Sequence, residues 1–180
     1  MKELSLNILD IAKNSVKAGA ANVIIKLEEN EDDLKVIIAD DGCGMPSEMV
    51  ARVTDPFCTT RTTRKVGLGI PFYKLAAEQT GGRFEIVSKT KSYEGDTSGT
   101  TVTAVFKKKH IDCLPLGDVI STVSTLIQGS PEIDFVFSHE FDGKKVFLST
   151  AEMRELLGDV PLNSPEVLMW IRDYLEEQYN

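Results

Sequence analysis

Two short stretches, Asn22–Glu28 (NVIIKLE) and Leu34–Asp40 (LKVIIAD), constrain the fold more than anything else in the chain. Each is rich in Val and Ile, and the acidic run Glu29-Asn30-Glu31-Asp32-Asp33 separates them. β-Branched residues suit a pleated strand, and a short polar break between two such runs predicts a hairpin. Immediately before them the hydrophobic period is different. Over residues 3–18, Leu6, Leu9, Ala12 and Val16 recur at helical spacing, and Gly19 is a natural stop. A helix that runs straight into a hairpin calls for a sheet with helices laid on it.

The remaining segments continue that pattern. Pro46-Ser47 opens a short helix to Val53, and residues 54–66 (TDPFCTTRTTRKV) have no periodicity and read as a loop. A second helix is expected from Gly69 to Thr80, closed by Gly81-Gly82. Strands follow at Arg83–Ser88 and Thr100–Phe106. Further on, residues 118–127 read as helical, and Asp134–Phe141 and Lys144–Ser149 flank Asp142-Gly143, a hairpin turn signal. Thr150–Leu157 and Ser164–Gln178 read as helices that begin on a Ser or Thr cap with an acid in the first turn. The predicted class is α+β, a two-layer sandwich with a mixed, largely antiparallel sheet covered by helices.

Charge divides the chain. Residues 1–110 carry 16 Lys+Arg against 15 Asp+Glu, whereas residues 111–180 carry 4 against 13. We therefore expect one domain over 1–110 and an acidic C-terminal extension over 111–180, made of helices and a β-hairpin. On the last helix Trp170, Ile171 and Tyr174, with Leu168 and Leu175, form an apolar band, suited to packing on its own domain or to docking a partner. The net charge of −8 argues against a general nucleic-acid binder. No run approaches the ~18 apolar residues of a membrane span, and the acids and amides at the start do not suit a signal peptide. The expected location is cytoplasmic. Cys43, Cys58 and Cys113 form no CxxC pair, which speaks against a zinc site or a disulfide framework.

Four groups of residues carry chemistry. Asp10 and Asn14 stand one turn apart on the first helix, with Lys17 three residues further on the same side. A carboxylate can orient or deprotonate a nucleophile, an amide oxygen can complete a Mg²⁺ shell, and an ammonium can meet a phosphate. Asp40-Asp41-Gly42-Cys43-Gly44 ends the second strand. Its glycines permit positive φ and close approach of a ligand, and a carboxylate there can accept from an exocyclic amine. Gly67-Leu68-Gly69-Ile70 opens a helix, whose free amides and dipole favour an anion. Ser98-Gly99-Thr100 begins a strand and places a hydroxyl there.

Taken in order, D-x-x-x-N on a first helix, D-x-G-x-G after a hairpin, a loop, G-x-G at a helix start and G-T on a strand resemble the GHKL ATP-binding superfamily, also known by its Bergerat fold. Asn14-Ser15-Val16-Lys17 is similar to the N-A-x-K pattern of histidine kinases and anti-sigma-factor kinases. Pro56-Phe57-Cys58-Thr59-Thr60-Arg61 is similar to their lid signature, while Asn14-Ser15-Val16-Lys17-Ala18-Gly19-Ala20 also resembles the mismatch-repair N-S-x-D-A-G-A. The resemblance implies binding of ATP and Mg²⁺. It implies that Asn14 ligates the metal, that Asp40 holds the adenine amine, and that Gly42 and Gly44 let the backbone pass beneath the base. Gly67, Leu68 and Gly69 would offer amides to the phosphates, Thr100 would help at the adenine, and Arg61 and Lys65 would close on the γ-phosphate. Lys17 would contact phosphate, and Asp10 takes the place of the acid that orients the attacking group. Hydrolysing members usually carry Glu there, so the shorter Asp10 puts efficient water activation in doubt. The implied activity is phosphoryl transfer to, or regulation of, a protein partner in signal transduction. The alternatives are a slow ATPase that switches homodimerisation, as in the mismatch-repair branch, and a non-enzymatic ATP sensor. No phosphoacceptor hairpin is expected ahead of the first helix, and His110 and His139 read as structural or solvent-facing.

Overall fold

The computed structural model describes residues 2–55, 68–92 and 96–180. In chain order the elements are α1 (Leu4–Lys17), β1 (Asn22–Glu29), β2 (Asp33–Asp40), α2 (Ser47–Val53), α3 (Gly69–Gln79), β3 (Arg83–Lys89), β4 (Gly99–Lys107), α4 (Val119–Gly129), β5 (Asp134–Phe141), β6 (Lys144–Ser149), α5 (Thr150–Leu157) and α6 (Pro165–Tyr179). The β1–β2 hairpin forms because Asn30 folds back on its own turn: its side-chain oxygen accepts from the amides of Asp32 at 2.9 Å and Asp33 at 2.7 Å. Opposite it, the basic run at the end of β4 meets the acidic turn. Lys107 pairs with Asp33, Lys108 with Glu29 and Lys109 with Asp32 at 2.7–2.8 Å. The three consecutive lysines are therefore not a free basic patch.

The six strands form one mixed sheet in the order β3-β4-β2-β1-β5-β6. All neighbours are antiparallel except β1 and β5, which run parallel with Asn22 opposite Asp134 and Glu28 opposite Glu140. Strands from the acidic third of the chain thus continue the sheet begun in the first 110 residues. Alternate residues face the helical layer: Val23, Ile25 and Leu27 on β1, Leu34, Val36 and Ile38 on β2, and Phe135 and Phe137 on β5 are buried in one continuous core. Ile24, on the other face of β1, is 45% exposed.

Four local expectations need correction. The buried stripe of α1 is Leu4, Ile8, Ile11, Ala12 and Ser15, while Leu6 is 44% exposed. The helix is rotated from the stripe Leu6-Leu9-Ala12-Val16 because it packs against α3 and α4 as well as the sheet. The cap of α5 is Ser149, whose hydroxyl accepts from the Glu152 amide. Thr150 is drawn instead into the core, where its hydroxyl accepts from the Phe135 amide at 2.8 Å. Ser164, expected to cap α6, makes no side-chain cap bond. Finally, the apolar band of α6 is split: Ile171 and Leu175 are buried with Val167, but Trp170 and Tyr174 lie outside the core.

Candidate functional site

Asp40 ends β2 beside the last turn of α1 and the first residues of β4, and its carboxylate is shared among all three. Its Oδ2 accepts from the Ser15 hydroxyl at 2.6 Å. Its Oδ1 accepts from the amides of Gly42 at 2.9 Å and Thr100 at 3.3 Å. A carboxylate has about four lone-pair sites, so the three donors among the described residues leave one, on Oδ2, open to a further donor. Asp41 faces the other way and has a different task. It accepts from the amides of Ala21 and Asn22 at 2.8 Å and from the Asn22 side chain at 2.7 Å, pinning the start of β1. Burial opposes its ionisation, but the donors from Asn22 and Ala21 hold its carboxyl below the usual range.

The loop after Asp41 follows the end of α1 closely. The Cys43 amide donates to the Ala18 carbonyl at 2.9 Å, and a Cβ placed on Gly42 would lie 2.8 Å from the Ala18 Cβ. Gly44 has φ +67°, and a Cβ there would overlap the Lys89 carbonyl. Ser98 and Ser88 tie the same loop to β4 and β3. The Ser98 hydroxyl donates to the Gly42 carbonyl at 2.7 Å, and Ser88 Oγ accepts from the Met45 amide at 2.7 Å. Thr100, besides its amide to Asp40, has its hydroxyl 2.8 Å from Ser88 Oγ. Backbone and small hydroxyls therefore hold Asp40 at the mouth of a glycine-lined cradle.

The α1 residues stand along the same side. Asp10 and Lys17 are exposed and Asn14 is half-buried. None of the three side chains has a hydrogen bond or ion pair among the described residues. A Cβ on Gly69 would sit 3.6 Å from the Asp10 Cβ and 3.8 Å from its Oδ2, so Asp10 stands against the first turn of α3. Leu68 is the exposed residue at the head of that helix. The structure thus brings Asp10, Asn14 and Lys17 onto one helix, Asp10 beside Gly69, and Asp40, Gly42, Gly44 and Thr100 into one cradle. Arg61, Lys65 and Gly67 lie outside the described residues, as does Cys58.

Ser15 and Ser88 were not foreseen as site residues. The signal for Ser15 was present, since it directly follows Asn14 on the helix whose end meets the Asp40 loop. Ser88 gave no signal, because its bond to Met45 joins residues 43 positions apart.

Residues 2–110 match the family described as histidine kinase-, DNA gyrase B-, and HSP90-like ATPase. The sensor protein KdpD of Clostridium acetobutylicum is 30% identical over 94 residues, which are 49% of this chain and 10% of that protein. The tetrathionate sensor histidine kinase TtrS of Salmonella typhimurium is 27% identical over 99 residues, 55% of this chain and 16% of that one. The chain spans less than a fifth of the length of the curated relatives it matches. In fold it is similar to the MutL ATPase domain of Aquifex aeolicus complexed with ADP, with a TM-score of 0.56 at 14% identity. That likeness covers 87% of this chain and 68% of the other. It therefore reaches past residue 110.

Proposed function

From the premise that this chain belongs to the histidine kinase-, DNA gyrase B- and HSP90-like ATPase family, we propose that it binds Mg-ATP and transfers the γ-phosphoryl group to a protein partner. The observation that carries this reading is the Asp40 carboxylate, held by Ser15, Gly42 and Thr100 with one lone pair open. Such a group fits the exocyclic amine of adenine, which has a proton to donate and no competing charge. Gly42 and Gly44, where a Cβ would meet Ala18 and the Lys89 carbonyl, let the loop beside Asp40 lie close against α1 and β3. Asn14, whose side chain has no hydrogen bond among the described residues, offers the amide oxygen for a Mg²⁺ whose other ligands would be phosphates and water. Bound there, the ion would neutralise phosphate charge.

The rest follows from positions on α1 and α3. Lys17 places an ammonium near the phosphates, and Leu68 and Gly69 present the positive end of the α3 dipole. Arg61, Lys65 and Gly67 are assigned to the γ-phosphate on motif alone. Asp10 would accept the proton of the attacking group as the new bond to γ-phosphorus forms and ADP departs. Transfer of this kind asks chiefly for alignment and charge neutralisation. The sensor-kinase relatives support a protein acceptor. None of the helices among the described residues is long and apolar enough to cross a membrane, and a cytoplasmic setting belongs to the same proposal.

The test follows γ-labelled ATP in purified protein with Mg²⁺, alongside Asp40→Asn and Asp10→Ala. We expect saturable ATP binding that falls at least tenfold in Asp40→Asn, with label reaching protein only when Asp10 is intact. Unchanged affinity in Asp40→Asn would remove the site. Bound ATP whose label never leaves, with a cell extract as the source of acceptor, would remove the transfer.

A further inference from the structure

The last helix carries a surface that nothing in the nucleotide site uses. α6 buries Val167, Ile171 and Leu175, spaced four apart, against the sheet and α4. At roughly 100° per residue, Trp170 and Tyr174 stand on the flank of that stripe, and they are 50% and 36% exposed. Their rings are stacked, with centroids 5.1 Å apart and planes inclined by 13°. Glu166, Asp173 and Glu177 are exposed and fall within roughly 60° of Trp170 around the helix axis.

α6 itself puts no cation on this face. Arg172 is the only basic residue in α6, and it lies roughly 160° around from Trp170. Its charge acts instead on Asp118, the N-cap of α4, whose carboxyl is held low first by the Ser121 hydroxyl and amide and further by Arg172. The edge of the sheet beside α6 is already occupied. Gln178 donates to the Phe147 carbonyl at 3.1 Å and accepts from its amide at 2.9 Å, which blocks strand addition to β6 at that point. What remains accessible is a side-chain surface, two stacked ring faces fringed by three carboxylates.

We propose that this face of α6 docks a Lys- or Arg-rich segment of a partner protein. A stacked aromatic pair attracts a guanidinium or ammonium over its outer ring face, and carboxylates within one turn supply charge-assisted hydrogen bonds to the same group. A second copy of this chain is a poor occupant. It would bring an equally acidic α6, and its own lysine run at 107–109 is already paired with the β1–β2 turn. The net charge of −9 over residues 111–180 extends the complementarity beyond the five residues and speeds encounter with a basic partner.

Trp170 is the only tryptophan in the chain, so its fluorescence reports on the site directly. The probe is an octa-arginine peptide titrated into the full chain, with octa-glutamate as the control, and calorimetry measures the variants. We expect a saturable change in Trp170 emission with octa-arginine alone, weakened by added salt. Trp170→Ala, which leaves charge unchanged, should lose at least fivefold in affinity. Neutralising Glu166, Asp173 and Glu177 to the amides should lose at least tenfold, and neutralising Glu132, Glu155 and Asp159 less than threefold. All four replaced α6 positions are tested again in ATP binding and thermal unfolding, where these exposed side chains should leave the chain unchanged. Equal octa-arginine affinity in Trp170→Ala, or equal loss in the two triple variants, would reduce the effect to general electrostatics and overturn the proposal. So would a concentration-dependent dimer that Trp170→Ala abolishes.

Discussion

Ser15→Ala isolates the donor that holds Asp40. The substitution removes the 2.6 Å hydroxyl from Oδ2 and leaves the two backbone donors on Oδ1 in place. Ser15 is 4% exposed, and alanine is smaller by a single oxygen, so packing changes little. A hydrogen bond to a charged group is worth about 1.5–3 kcal/mol. Asp40 is only half-buried, so water replaces part of that in the empty protein. The loss of stability should then be about 1–1.5 kcal/mol, or a urea midpoint lower by about 0.5–0.75 M at a slope of roughly 2 kcal/mol/M. With a base seated over Asp40, water is excluded and Oδ2 has lost its fixed orientation. ATP affinity should fall by about tenfold, close to 1.4 kcal/mol. Urea titrations with and without saturating Mg-ATP measure both quantities, because ligand stabilisation shrinks as affinity falls. A variant that loses the stability but keeps full ATP affinity would show that Ser15 only fastens α1 to β2. The open lone pair of Asp40 would then not be where the base binds.

Two further outcomes rest on buried polar groups. Tyr73 is fully buried between Phe84 and Phe106, and its hydroxyl has no partner among the described residues; Tyr73→Phe should therefore leave unfolding free energy unchanged or raise it by up to about 1 kcal/mol, and a loss above about 1 kcal/mol in denaturant titration would contradict the packing. His139 is buried with Nδ1 2.8 Å from the Tyr179 hydroxyl and Nε2 2.9 Å from Glu29, which also pairs with Lys108. Burial holds the His139 pKa below its usual value despite Glu29. For Glu29, burial works the other way, but Lys108 and His139 outweigh it and keep the carboxyl low. Both groups take up a proton more readily when unfolded, so their stability is complete above about pH 6.5 and is lost as pH falls through the folded values. His139→Gln should flatten the first part of that decline, between about pH 6.5 and 5.5, in urea titrations at stepped pH; an unchanged slope would place the proton uptake elsewhere.

Which parts of the structure could be read in the sequence follows from the range of the interactions involved. Gly19, Gly81-Gly82 and Asp142-Gly143 mark chain reversals through local backbone preference, and the elements they bound were expected within one or two residues. D-x-x-x-N, D-x-G-x-G and G-T are legible because each is compact in sequence, but the bonds that join them are not: Asp40 reaches Ser15 and Thr100, 25 and 60 positions away. The burial of α1 was misjudged because three different surfaces press on it, and only one follows a simple stripe. Thr150 was assigned to a cap because its bond to Phe135 depends on β5 lying beside it. Trp170 and Tyr174 look like core residues on composition and helical spacing. Only the position of the sheet edge shows that Ile171 and Leu175 already fill the available space.

The parallel pairing of β1 with β5 has a consequence for how the chain is made. Asn22 and its partner Asp134 are 112 residues apart. At about 5–20 residues per second of synthesis, one flank of β1 stays bare for roughly 6–22 s after it emerges. Closing so long a span is entropically slow, and a bare strand flank is a template for the wrong neighbour. Lys26 and Glu28, whose ammonium and carboxylate pair on that strand, keep it charged through the interval. In the crowded cell the β1–β2 hairpin therefore keeps an open flank until the acidic third arrives to seal it.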